Sequence, residues 1–147
     1  REQNIEFNIT YLKDMLEKSL DNGAGPGIMY HLCGDHKVDW DLHKDMPMTP
    51  ATLMHVAYDG KQPMDINKVM SVFGDKCAIL GNVDTALMQL GTPKEVYDVT
   101  KAQVLAGKES PKGFMAGNAC EIPPFAPAAN TYAFVKAVKD HGKLSKA

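Results

Sequence analysis

The sequence predicts an α/β fold in which four parallel strands alternate with helices, half the strand number of a closed eight-stranded barrel. Short apolar runs bounded by glycine or polar residues recur four times, as buried strands do. Segments with the apolar spacing of a helix separate most of them, and cap and turn residues fall at the junctions. At 147 residues and 44% apolar content the chain suffices for one domain, residues 1–147, with a real core. No repeat or low-complexity segment divides it.

The elements follow in order. Ile5, Ile9, Leu12, Leu16 and Leu20 form one stripe of a first helix, which Asp21-Asn22-Gly23 ends. The glycine-rich residues 23–27 read as a turn, because they lack the Lys-Ser/Thr of a phosphate loop and precede a strand instead of following one. Residues 28–33 form the first strand, and residues 37–50 show no convincing period. Residues 52–57 form the second strand, and Ile66, Val69, Met70 and Phe73 the stripe of a helix closed by Gly74. Residues 77–83 are the third strand. Thr92-Pro93-Lys94-Glu95 has the form of a capping box with proline at the first helical position, which starts a helix running to about Leu105. Residues 113–119 are the fourth strand. Prolines 123, 124 and 127 delay the last helix to about Ala128, where Thr131, Phe134, Val135 and Val138 share a face.

A four-stranded parallel sheet covered by helices on one side exposes its other face and both edges. A missing N-terminal half-barrel or a homodimer is therefore expected. The net charge of −2, with both signs interspersed, argues against nucleic acid, and no apolar run approaches the length of a membrane span. The expectation is a cytoplasmic protein whose three cysteines serve thiol or metal chemistry, not disulfides.

Chemistry concentrates at His31-Leu32-Cys33. Alternate strand residues share a face, so the imidazole and the thiol stand side by side. Cys120 lies 87 residues beyond Cys33, just after the last strand, and barrel strands of this kind end at a common rim. One imidazole and two thiolates are a zinc donor set, and three protein ligands with one open position are the catalytic pattern. The competing reading is packing, since free cysteine is among the most buried residue types.

A resemblance adds to this reading. His31-Leu32-Cys33-Gly34, Gly81-Asn82-Val83-Asp84-Thr85, Gly91-Thr92-Pro93-Lys94-Glu95-Val96 and Ala119-Cys120-Glu121-Ile122-Pro123, with Asn130 before an alanine-rich helix, run in this order over about residues 27–138. Together they resemble the uroporphyrinogen decarboxylase superfamily, specifically its methylcobamide:coenzyme M methyltransferase branch. The resemblance implies the C-terminal half of a TIM (β/α)8 barrel. It further implies His31, Cys33 and Cys120 as zinc ligands, and a small thiol such as coenzyme M as methyl acceptor. The methyl donor would be a corrinoid, methylcobalamin, carried on a partner corrinoid protein. Uroporphyrinogen decarboxylases proper need no metal and match less well at those three positions. A tetrapyrrole decarboxylase and an inactive, self-associating half-barrel are the alternatives.

Other residues near the strand ends are also candidates. Glu121 and Asp35 adjoin the presumed ligands and suit a catalytic or hydrogen-bonding role; Asp84 follows the third strand and equally suits a helix cap. His36, directly after Asp35, suits the same hydrogen-bonding role or a solvated turn. His55 in the second strand and Asp59 at its end are candidates for contacting the cofactor, His55 being better suited to a satisfied core position. Cys77 opens its strand, at the opposite end of a barrel from the other two thiols, and is excluded from the metal set.

Overall fold

The structure, a computed structural model, describes residues 1–24 and 27–143. The N-terminal stripe folds as a helical run of three pieces: α1 (Glu2–Asn4), a π-helical turn (Ile5–Ile9) and α2 (Thr10–Asp21). The π turn inserts an extra residue per turn and rotates the stripe. Leu16 is buried, and Ile9 and Leu12 pack partly beside it, while Phe7 and Tyr11 remain exposed. Gly23 takes a positive φ of 80° in the turn that follows. Gly25 and Pro26, at the centre of the expected turn, lie outside the described residues.

The sheet contains β1 (Met29–Asp35), β2 (Leu53–Asp59), β3 (Gln62–Pro63), β4 (Ala78–Leu80) and β5 (Phe114–Met115). The order is β1-β2-β4-β5, with parallel pairing throughout, and β3 adds to β2 as a short antiparallel hairpin. The expected α/β architecture, four parallel strands alternating with helices as in half of a TIM barrel, is the one observed. The third and fourth strands are shorter than their apolar runs. Beyond Leu80 and Met115 the two segments still meet, through Gly81 N–H to Met115 O at 2.8 Å and Ala119 N–H to Val83 O at 2.8 Å.

The unassigned residues 37–50 contain a 3₁₀ helix, Trp40–Asp45. Helix α3 (Ile66–Phe73) has the expected bounds, capped by Asp65 on Asn67 N–H. Helix α4 (Thr85–Leu90) begins at Asp84, as the helix-cap reading of that residue expected, although its length carries no signal of its own. It is six residues long, too short for a periodic signal. Helix α5 (Pro93–Gly107) begins with both reciprocal bonds of the Thr92–Glu95 capping box. Helix α6 (Ala128–His141) closes the fold against α5.

One side of the sheet carries the core. Tyr30, Leu32, Met54, Val56 and Ile79 point into it, beneath Leu16, Val69 and Phe73. A second cluster joins Val83 and Met88 to Val96 and Ala133. The other side is open, with Met29 62% and Met115 55% exposed. Among the described residues no helix is long and apolar enough to cross a membrane.

Candidate metal centre

Strand alternation places the site. In β1 the burial pattern runs exposed, buried, exposed, buried, exposed from Met29 to Cys33, so His31 and Cys33 rise from the open face. The segment after β5 runs beside Val83 through the Val83–Asn118 bridge and delivers Cys120 to the same face. The two sulfurs stand 3.8 Å apart, and one ligand atom from each of His31, Cys33 and Cys120 lies within 4.8 Å of the others. Residues 87 positions apart thus meet.

The separation excludes a disulfide and accommodates both a thiol–thiol hydrogen bond and a shared metal ion. A disulfide needs about 2.05 Å between sulfurs. Two zinc–sulfur bonds of about 2.3 Å at a tetrahedral angle put the sulfurs about 3.8 Å apart, which is the spacing observed. Both cysteines are free thiols. The donor set and its spacing therefore fit zinc.

Without an ion, the neighbouring thiol disfavours ionisation of Cys33. The Cys33 thiol is pushed up from its ordinary range by its hydrogen bond to Cys120 and then by the charge of that neighbour; Glu121 adds to the effect. A positive ion between the sulfurs would reverse this. Burial, followed by the charge of His36, lowers His31, which favours the neutral imidazole that metals require.

His55 is the direct register partner of His31 across the β1–β2 ladder, and their Nδ1 atoms approach to 2.7 Å. His55 is 2% exposed, and burial pushes its pKa down to about 4. It touches the candidate ligand from behind. A metal-binding histidine is oriented by the hydrogen bond its other ring nitrogen makes, and His55 is in place to make one with His31.

The site opens into a cavity of about 490 Å³. Met29 and Leu80 form its apolar wall, with Asn118 and the exposed Glu121 as polar groups near the sulfurs. Another cavity, of about 410 Å³, lies between α5, β5 and α6 and is lined by no described thiol, imidazole or carboxylate. His31, Cys33 and Cys120 all line the first.

The remaining carboxylates lie elsewhere. Asp35 accepts from the N–H groups of Lys37 and Gly60 at 2.9 and 2.7 Å, and these hold its carboxyl below the usual range. That contact ties the end of β1 to the β2–β3 hairpin. Asp59 pairs with Lys68 at 3.2 Å, in a separate depression. Asp84 caps α4 on Ala86 N–H and accepts from the Tyr58 hydroxyl at 3.2 Å. His36 bonds Asp39 and the Cys33 carbonyl. Cys77 is fully buried, its thiol pushed up to about 11 by that burial.

Sequence reasoning assigned no role to Asn82, which is fully buried and donates to Met64 O at 2.6 Å. A polar side chain inside the apolar run 77–83 was the signal for it.

The family model described as uroporphyrinogen decarboxylase (URO-D) matches residues 1–141, which extends the likeness through the N-terminal helix. No curated protein matches the chain.

Proposed function

The chain belongs to the uroporphyrinogen decarboxylase family, and from that premise we propose that it is a zinc-dependent methyltransferase moving a methyl group between a corrinoid and a small thiol. The observation that carries the reading is the 3.8 Å spacing of the Cys33 and Cys120 sulfurs with His31 beside them. Cys33 and Cys120 would hold the ion through sulfur and His31 through nitrogen, leaving one position for substrate. When bound, zinc supplies a lowered thiol pKa with retained nucleophilicity, and the corrinoid supplies the methyl group.

The chain's own groups do the rest. Two thiolates and a neutral imidazole balance the ion's charge, so a substrate sulfur added to the set stays electron-rich. His55 holds the His31 ring from behind. Met29 and Leu80 offer an apolar wall that keeps water from the sulfur, and Asn118 and Glu121 orient what enters. The open face requires a cover, either an N-terminal half-barrel or a second copy, and the corrinoid arrives on a partner protein.

Metal analysis of the purified chain tests the reading. About one zinc per chain is expected, with His31→Ala, Cys33→Ala and Cys120→Ala each losing more affinity than the roughly 10–100-fold that removal of an outer partner costs. Cys77→Ala keeps the metal. Methylcobalamin demethylation by a panel of thiols, followed by absorbance, supplies the activity. Intact protein without zinc that decarboxylates a tetrapyrrole would replace this reading with the other one.

A further inference from the structure

We propose that Cys33 and Cys120 are a redox pair, joined by a disulfide when a hydroperoxide oxidises the chain, and that this bond dismantles the metal site. The inference deepens the zinc reading above, and only its metal half rests on that reading.

The two thiols are in contact, Sγ to Sγ at 3.8 Å, although 87 positions separate them. A disulfide bond is about 2.05 Å long, so the sulfurs have to close by about 1.8 Å. Both can be reached. Cys33 is exposed, Cys120 is partly exposed, and both line the cavity of about 490 Å³ on the open face. Cys77 differs on each count, being fully buried with its thiol against Phe73 O and Met48 Sδ.

The backbone can take up that movement. The β1–β2 register is regular through Leu32 and shifts before Asp35, which leaves Cys33 and Gly34 outside the regular ladder. Gly34 has a φ of 84°, and a Cβ added there would meet no atom within 4 Å. Cys120 lies just beyond Ala119, whose N–H donates to Val83 O after the Val83–Asn118 bridge. Each cysteine thus stands one step past a regular pairing. Because β1 and β5 are the two ends of the strand order, the bond would also tie the margins of the sheet together.

The chemistry balances in two steps. One sulfur gives up its proton and attacks an oxygen of the hydroperoxide; the O–O bond breaks, the departing oxygen takes the proton, and a sulfenic acid forms beside an alcohol, or beside water when the oxidant is hydrogen peroxide. The second thiol attacks that sulfur, the S–S bond forms and water leaves. Two thiols lose two electrons and two protons, and the peroxide gains both. Contact between the sulfurs favours this closure over further oxidation, since a partner held in place reacts as though highly concentrated. Thiolate is the form of cysteine that ligates metal, so the disulfide leaves His31 alone of the three donors.

Hydrogen peroxide treatment of the full chain tests this, with one sample stripped of metal and another loaded with zinc. Intact mass should fall by two hydrogens, and peptide mapping should find Cys33 linked to Cys120 with Cys77 still a thiol. A reductant should reverse the change. In the loaded sample a chromogenic chelator should record one zinc released for each bond formed. The midpoint of urea unfolding should rise in the oxidised chain, because a bond across a long loop restricts the unfolded state. Cys33→Ser and Cys120→Ser should instead gain oxygen on the thiol that is left. Sulfinic acid at Cys33 of the unsubstituted chain in place of the bond, a bond to Cys77 or between two chains, a lowered urea midpoint, or zinc kept after the bond forms would overturn the proposal. A chain that takes up no zinc yet forms the bond would refute the metal reading and leave the redox pair standing.

Discussion

The two faces of β1 use the same device for opposite ends. On the covered face the Tyr30 hydroxyl meets His43 Nδ1 at 2.6 Å, and on the open face His31 meets His55 at 2.7 Å. Burial pushes both His43 and His55 down to about 4. What differs is the surroundings. Tyr30 and Leu32 are buried among apolar helix side chains, whereas His31 has the Cys33 and Cys120 thiols beside it and a cavity that all three line. One face has its polar groups closed off and supplies stability; the other leaves donors converging on an open position.

Substitutions on the two faces should separate these roles, and the largest effect belongs to the covered side. Phe73→Ala empties a fully buried site and should cost about 3–5 kcal/mol in urea unfolding. Cys33→Ala on the open face should change stability by no more than about 0.5 kcal/mol. Comparable losses would erase the distinction.

Acid sharpens the comparison next. His43 ordinarily titrates at 6.5 and in the fold at about 4, so between those values the unfolded chain holds the extra proton. The stability it supplies is complete above pH 6.5 and is lost as pH falls toward 4, by on the order of 3 kcal/mol. His43→Gln should remove a large part of the metal-free chain's loss in that window, with His55 and His31 sharing the remainder. An unchanged pH profile would show that His43 is not a closed, neutral group.

The smallest expected effect is at the sheet margin. Met115→Gln, on a side chain 55% exposed, should leave unfolding within about 0.5 kcal/mol. A loss several times larger, growing with protein concentration, would reveal a second copy on the open face.

Much of this division was legible in the sequence. The alternation of periods gave strand order and parallel sense, and the Thr92–Glu95 box located the start of α5 because a cap is a local signal. His31 and Cys33 could be paired by strand alternation alone. Bringing Cys120 to them needed the barrel topology. The His31–His55 contact depends on register between β1 and β2, which no local pattern encodes. The length of helix α4 beyond its Asp84 cap, and strand β3, were hidden because six and two residues do not make a period. Carboxylates after strands carried two readings each, and for Asp84 the helix-cap reading is the one the structure shows. Asp35 and Asp84 follow strands, where site residues often stand, but so do turns and caps, and backbone N–H groups engage both.

Phe114 has glycine on two sides. A methyl group added at Gly107 would lie 2.3 Å from its ring, and one at Gly81 2.7 Å. The ring is thus clamped where β5 begins, six residues upstream of Cys120. Enlarging Gly107 by a single carbon would lever that strand outward, and the displacement would travel along the chain to the sulfur. Tolerance at the thiol pair is therefore governed by a hydrogen-sized clearance at the end of a helix that touches neither cysteine.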